Sequence, residues 1–315
     1  MDGAEPAVAA GTPRHFLDLA ELDGATVAQL VDAADARARA RAGRFKAAPD
    51  DDAPLDGAAV ACLFAKPSTR TRVSFDLAVR QLGGAPLTLD RAGLQTGRGE
   101  PLDDTARVLS RYVDAITFRA HTHGDLETLA GASDVPVINA LTDYSHPCQA
   151  IADMLTLKQR LGSLAGARIA WLGDGNNVAV SLVHAAVRLG ASVRLAGPDD
   201  RMPDALFAWA TAQGGDVARA TSAEAAVDGA QAVYTDTWKS MGDEAVDLDA
   251  FAPYRVSEAL MARAPEAVFL HCLPAYRGQE VDAAVLEGPQ SAVWDQAENR
   301  LHAQKAILLH CFDRL

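Results

Sequence analysis

Several large protein classes are excluded by what this sequence has little of. Cysteine is sparse: Cys62, Cys148, Cys272 and Cys311 are widely scattered among 315 residues and form no CxxC pair. That spacing offers neither a zinc site nor a dithiol redox motif, and it predicts free thiols in a reducing compartment. Long hydrophobic runs are also missing. The segments AVACLFA (59–65) and AILLHCF (306–312) fall well short of the roughly 18 apolar residues that a membrane span needs. The first residues, MDGAEPAVAAGTPRHF, lack a basic stretch followed by an apolar core, which predicts a short disordered lead in a cytoplasmic protein. Positive charge is in deficit, 29 Lys and Arg against 42 Asp and Glu for a net charge of −13. A nucleic-acid footprint would need a clustered basic surface. An anionic ligand must therefore be caught by a local arginine cluster rather than by the overall field.

What is present is an ordinary globular composition, 49% hydrophobic and 23% charged, in a chain long enough for two domains of about 150 residues. Helix and strand patterns alternate throughout. Helical patterns occupy residues 26–40, 72–82 and 103–112, and strand patterns 59–65, 86–89, 115–119 and 135–140. A helix over 148–161 leads into a second block with strands at 167–173, 191–197, 231–236 and 267–273. This rhythm predicts an α/β protein of two domains, each a mainly parallel sheet flanked by helices, joined by long helices. The boundary is expected near residues 146–152, giving domains 1–147 and 148–297, with a last helix over about 298–315 returning to the first.

Five segments could carry chemistry. KPSTRTR (66–72) follows a strand and opens a helix, so Ser68, Thr69 and Thr71 sit where helix amides lack partners. A helix amino terminus with arginines such as Arg70 makes an oxyanion cradle; an ordinary capped helix with solvated charges is the bland alternative. In YSHPCQA, His146 and Gln149 flank a proline-marked helix start, where the imidazole can donate to a carbonyl and the carboxamide can bind a carbamoyl NH2. A structural role for this histidine is the competing reading.

GDGNN (173–177) stands at a strand-to-helix turn but lacks the third glycine and the ribose-binding acid of a dinucleotide fingerprint. Asn176 and Asn177 are instead suited to gripping a zwitterionic head group. TDTWKSMG places Asp236 at a strand's carboxyl end, where it can meet an ammonium or merely cap a helix, with Ser240 and Met241 in the loop beyond. FLHCLPAYRGQEV puts His271, Cys272 and Leu273 at another strand end. A Cys272–His271 nucleophile pair is disfavoured there because adjacent strand residues point to opposite faces. Arg300 lies in the last helical segment, WDQAENRLHAQKA, where arginine is ordinarily solvated.

Taken together, STRTR at Ser68, HPCQ at His146, the stretch QTGRGEPLDDTARVLSRY (95–112), DGNN and AENRLHAQKA resemble the aspartate/ornithine carbamoyltransferase superfamily over nearly the whole chain from Arg14. DTWKSMG and HCLPAYRGQEV are similar to its ornithine-using branch, although HCLPA stands where many of those enzymes have HCLPR. The resemblance implies carbamoyl transfer from carbamoyl phosphate to L-ornithine, giving L-citrulline and phosphate in arginine metabolism. The anabolic direction is favoured, and another amine, putrescine or an N-acylornithine, is the alternative acceptor.

It also implies a carbamoyl phosphate site of Ser68, Thr69, Arg70, Thr71, Gln95, Arg119, His146, Gln149, Cys272, Leu273 and Arg300, with Arg119, His146 and Cys272 catalytic. Ornithine would be held by Asn176, Asn177, Asp236, Ser240 and Met241. No metal or organic cofactor is expected, since carbamoyl phosphate is already activated. A homotrimer or a multiple of trimers is implied, with a neighbour lending part of its STRTR loop.

Overall fold

The structure is a computed structural model that describes residues 12–90, 99–239 and 247–315. Gln95, Ser240 and Met241 lie outside the described residues.

The first sheet contains β1 (Ala59–Phe64), β2 (Ala85–Asp90), β3 (Ala115–Arg119) and β4 (Val137–Leu141) in the order β2-β1-β3-β4. The second contains β5 (Arg168–Leu172), β6 (Ser192–Ala196), β7 (Val217–Arg219), β8 (Ala232–Thr235) and β9 (Val268–His271) in the order β7-β6-β5-β8-β9. Every pairing within these two sheets is parallel. Parallel strands need crossovers, and helices supply them. Those helices are α1 (Gly24–Ala40), α2 (Thr69–Gln81), α3 (Leu102–Leu109), α4 (His123–Gly131), α5 (Pro147–Leu161), α6 (Asn177–Arg188), α7 (Asp204–Ala212) and the shorter α8 (Ala223–Val227), α9 (Leu248–Phe251), α10 (Glu258–Met261) and α11 (Ala283–Leu286). The last, α12, spans Val293–Cys311. The two-domain α/β architecture expected from the sequence is therefore present.

Parallel sheets covered on both faces should bury continuous apolar strands, and β1, β3 and β4 do so with Val60, Leu63, Ile116, Phe118, Val137 and Ile138. One large core runs between the two sheets through α1, α5, α6 and α12, and smaller cores lie under the outer helices of each sheet. None of the helices in the described residues is long and apolar enough to cross a membrane.

Three sequence expectations need correction. The second helix begins at Thr69 rather than 72, because the Ser68 side chain accepts from the Thr71 amide and starts the helix there. The last helix begins at Val293 rather than near 298, so Arg300 sits in its interior. It is 5% exposed rather than solvated, since this helix packs on α1, α2 and α5 and has almost no outer face at that turn. The strand β7 carries only three residues and shows too little alternation to stand out.

On α12, Lys305 is fully buried and pairs with Asp50 at 2.5 Å, and Arg41 meets the same carboxylate at 3.0 Å. One turn away, burial pushes the His302 imidazole down from 6.5 to about 4. The unfolded chain would take up a proton below pH 6.5 while the folded chain stays neutral down to about 4, so this residue withdraws stability as pH falls through that window. We expect His302→Gln to lessen the stability lost between pH 7 and pH 5 by about 2 kcal/mol, at about 1.4 kcal/mol per pH unit. Denaturant melts of both proteins at the two pH values would check this; parallel losses would contradict it.

Candidate active site

In open α/β sheets ligands meet the carboxyl ends of the strands. Here those ends from both sheets face one cleft of about 600 Å³. The first sheet supplies Ser68, Thr69, Arg70 and Thr71 after β1, Arg119 at the end of β3, and His146 and Gln149 after β4; the second supplies Asn176 and Asn177 after β5, Asp236 after β8, and Cys272 and Leu273 after β9. Arg300 reaches the same cleft from α12. All the candidate residues within the described segments are thus brought together. A shallower depression of about 700 Å³ gathers Asp18, Glu21, Glu127 and Asp143 and no arginine, so it does not suit an anion.

The cradle follows from the local chain. Ser68 caps α2 in an extended conformation, leaving the amides of Thr69 and Arg70 at the helix's positive end without helical partners. Arg300 donates to Thr71 Oγ1 at 2.7 Å and to Gln149 Oε1 at 2.9 Å. Arg70 crosses the cleft to donate to the Leu273 carbonyl at 2.8 Å. Arg119 is aimed by an irregularity: Phe118 pairs with Asn139 but Arg119 with Leu141, so β4 carries an extra residue at that point. Such bulges re-aim a side chain beside a site.

The electrostatics of this half are those of a site short of negative charge. Burial, then the neighbouring Arg300 and Arg70, push the Arg119 guanidinium down to about 10, and its Nε has no hydrogen-bond partner among the described residues. Burial followed by Arg300 and Arg119 holds the His146 imidazole well below its usual value of 6.5. His146 is therefore neutral near pH 7 and serves as a hydrogen-bonding group rather than a cation.

The other half is built on close turns. Gly173 adopts φ of +116°, and a Cβ on Gly175 would fall 2.5 Å from Pro203 Cδ, so these glycines serve the turn and its packing. Asn176 caps α6 by accepting from the Val178 and Ala179 amides, and its Nδ2 donates to Asp236 Oδ2 at 3.0 Å. Asn177 spans the sheets by donating to the Thr142 carbonyl at 2.6 Å. Cys272 donates through its thiol to Asp236 Oδ1 at 2.9 Å. Burial, then Asp236, push that thiol well above its ordinary value, which makes it a poor nucleophile.

His271 and Cys272 bond to different groups and not to each other. The His271 Nδ1 accepts from the Leu273 amide, so Nε2 carries the proton and donates to Glu280 at 3.2 Å. The ligand atoms of Asp236, His271 and Cys272 lie within 4.8 Å of one another, but each already has a protein partner.

Sequence reasoning missed Lys66, Thr142, Lys239 and Tyr276 in the cleft wall. Thr142 follows directly on β4, so its strand-end position was the available signal. Also unread was Asp153, one helical turn beyond Gln149 and bonded to it.

A family model described as aspartate/ornithine carbamoyltransferase, carbamoyl-P binding domain, matches residues 14–159, and one described as aspartate/ornithine carbamoyltransferase, Asp/Orn binding domain, matches residues 165–311. The ornithine carbamoyltransferase of Rhizorhabdus wittichii is 54% identical over 306 residues, covering 96% of this chain and 99% of that protein. That of Caulobacter vibrioides is 52% identical over 305 residues, covering 95% and 98%. The solved structure of ornithine carbamoyltransferase from Pyrococcus furiosus aligns with a TM-score of 0.88 at 44% identity, covering 95% of this chain and 96% of that one. With both halves matched and full-length relatives at this identity, the chain belongs to the aspartate/ornithine carbamoyltransferase family.

Proposed function

We propose that the chain is an ornithine carbamoyltransferase, moving the carbamoyl group of carbamoyl phosphate onto the δ-amine of L-ornithine in arginine metabolism. The observation that carries this is the meeting of Arg70, Arg119 and Arg300 with His146 and Gln149 on one wall of a cleft whose other wall presents Asp236. The domain division assigns residues 1–147 to carbamoyl phosphate and 148–297 to ornithine, with Gln149 reaching the carbamoyl group from the first turn of α5 and α12 serving both.

The phosphate is held by Ser68, Thr69, Arg70, Thr71 and Arg300, with Gln95 completing the site. Arg119, His146 and Thr71 face the carbamoyl oxygen, and Gln149 takes the carbamoyl NH2 together with the Leu273 carbonyl. Asn177, Asn176, Asp236, Ser240 and Met241 hold ornithine, Asp236 taking its α-ammonium. Because the free δ-amine has a pKa near that of lysine, about 10.4, it must lose a proton to solvent before attack. Its nitrogen then bonds to the carbamoyl carbon, and the oxyanion that forms is stabilised by Arg119, His146 and Thr71. The carbon–oxygen bond to phosphate breaks, and the departing phosphate takes the amine proton. The Cys272 thiol, held against Asp236, orders the acceptor side and is not itself acylated.

The four thiols, all free, suit a reducing cytoplasm. A homotrimer, or a multiple of trimers, suits the edge strand β2, which no other strand among the described residues covers and beside which Val73 and Leu87 are about half exposed, whereas Phe16 covers β4 at the opposite edge. In that assembly a neighbour would lend part of its STRTR loop.

Arg70→Ala tests the assignment. Losing a charged, bidentate phosphate donor should weaken carbamoyl phosphate binding about a hundredfold by calorimetry and reduce turnover to match. Turnover like that of the wild type would contradict it.

A further inference from the structure

From Gln149 in the cleft wall a buried polar chain runs inward through residues that the reaction above does not use, Asp153, Tyr234 and Gln296. Gln149, Asp153, Tyr234 and Gln296 are each 1% exposed or less. Asp153 Oδ1 accepts from Gln149 Nε2 at 2.8 Å and from Gln296 Nε2 at 2.7 Å. Gln296 Nε2 also donates to the Tyr234 hydroxyl at 3.0 Å, and Gln296 Oε1 accepts from the His271 amide at 2.9 Å, one residue before Cys272. Burying a carboxyl costs free energy unless hydrogen bonds or an opposite charge compensate it. Here burial pushes Asp153 up to about 7, only partly offset by the donors from Gln149 and Gln296.

Its use can be read from the inventory of donors and acceptors. A carboxamide has two nearly isosteric orientations, and a flipped Gln149 would turn its NH2 toward the wrong partner. Arg300 can only donate, so it selects Oε1; the Asp153 oxygen accepts, so it selects Nε2. Between them the Gln149 amide has one permitted orientation, with one oxygen lone pair and one N–H remaining. We propose that Asp153 is a positioning residue that locks the Gln149 carboxamide for recognition of the carbamoyl NH2 and, through Gln296, ties that orientation to the strand end bearing Cys272.

This rests on the carbamoyl phosphate reading above, and the test separates the two. Phosphonoacetamide and methylphosphonate share a phosphonate and differ by the carboxamide, so their affinities for the full-length protein isolate what Gln149 reads. Asp153→Leu should weaken phosphonoacetamide about tenfold while methylphosphonate stays within about twofold. In a Gln149→Ala background the same change should add nothing further, as expected for two residues acting as one unit. Should Asp153→Leu lose its cooperative melt, Asp153→Asn decides instead. It keeps one acceptor oxygen for both glutamines, and selectivity for the carboxamide must survive in it.

Equal weakening of both probes, no weakening of either, additive losses in the Gln149→Ala background, or lost selectivity in Asp153→Asn would each overturn the proposal while leaving the carbamoyl phosphate reading intact. Failure of the wild type to bind either probe would overturn both.

Discussion

Arg119→Gln should lower turnover by about a thousandfold and yet give a protein that is more stable without substrate. Both effects come from one arrangement. Arg119 is 6% exposed, carries an unpartnered Nε among the described residues, and is depressed by burial and by Arg300 and Arg70. Confining cations near one another is unfavourable until an anion arrives, so replacing one by a neutral amide should raise stability by roughly 0.5–2 kcal/mol, the usual range for relaxing a strained functional site. The same guanidinium is aimed by the β3–β4 irregularity at the place where the carbamoyl oxygen gains charge. Removing one such donor costs about 10²–10³ in turnover. Thermal melts in the absence and presence of carbamoyl phosphate, beside single-turnover rates, read both sides. A variant that is both less stable and nearly as active would contradict the account.

Asp236→Asn should raise the ornithine requirement by on the order of 10³ while leaving carbamoyl phosphate affinity within about threefold. The carboxylate accepts from Asn176 and from the Cys272 thiol, so both oxygens are oriented before ornithine arrives. An asparagine cannot accept at both, and it cannot balance an ammonium. Truncating one partner of a buried charge pair costs 2–5 kcal/mol, which sets the expected magnitude. The residue is 8% exposed and its described side-chain partners, Asn176 and Cys272, both belong to the second sheet and not to the arginine wall, so the two affinities should separate. Loss of both together would point to misfolding rather than to acceptor recognition.

How far the sequence discloses this site depends on the kind of interaction. Ser68 was legible because a cap is a local event, a serine between a strand pattern and a helix pattern. Strand alternation argued against a His271–Cys272 pair; the ligand atoms of the two lie within 4.8 Å, and it is their partners that differ, Glu280 and the Leu273 amide for the imidazole and Asp236 for the thiol. Arg300 was misplaced by its most common behaviour. Helical arginines face solvent unless tertiary packing surrounds them, and here α12 is enclosed by helices far away in the chain. Arg119 followed only from the resemblance, because its direction depends on one extra residue in a neighbouring strand. Asp153 stands four residues after Gln149, a spacing that shares a helix face, but what makes it matter is Gln296, 143 residues away. The GDGNN turn was read as falling short of a dinucleotide fingerprint, and packing against Trp238 and Pro203 gives its glycines a structural role.

The most direct measurement is citrulline formation by the purified, metal-free protein from carbamoyl phosphate and L-ornithine, run beside putrescine, N-acetylornithine, N-succinylornithine and L-aspartate. The account predicts turnover with ornithine at least about a hundredfold above any other amine. Preference for a different amine would retain the cradle around Arg70 and Arg300 and contradict the reading of Asp236 and its neighbours, and the absence of carbamoyl transfer to any of them would contradict the account as a whole.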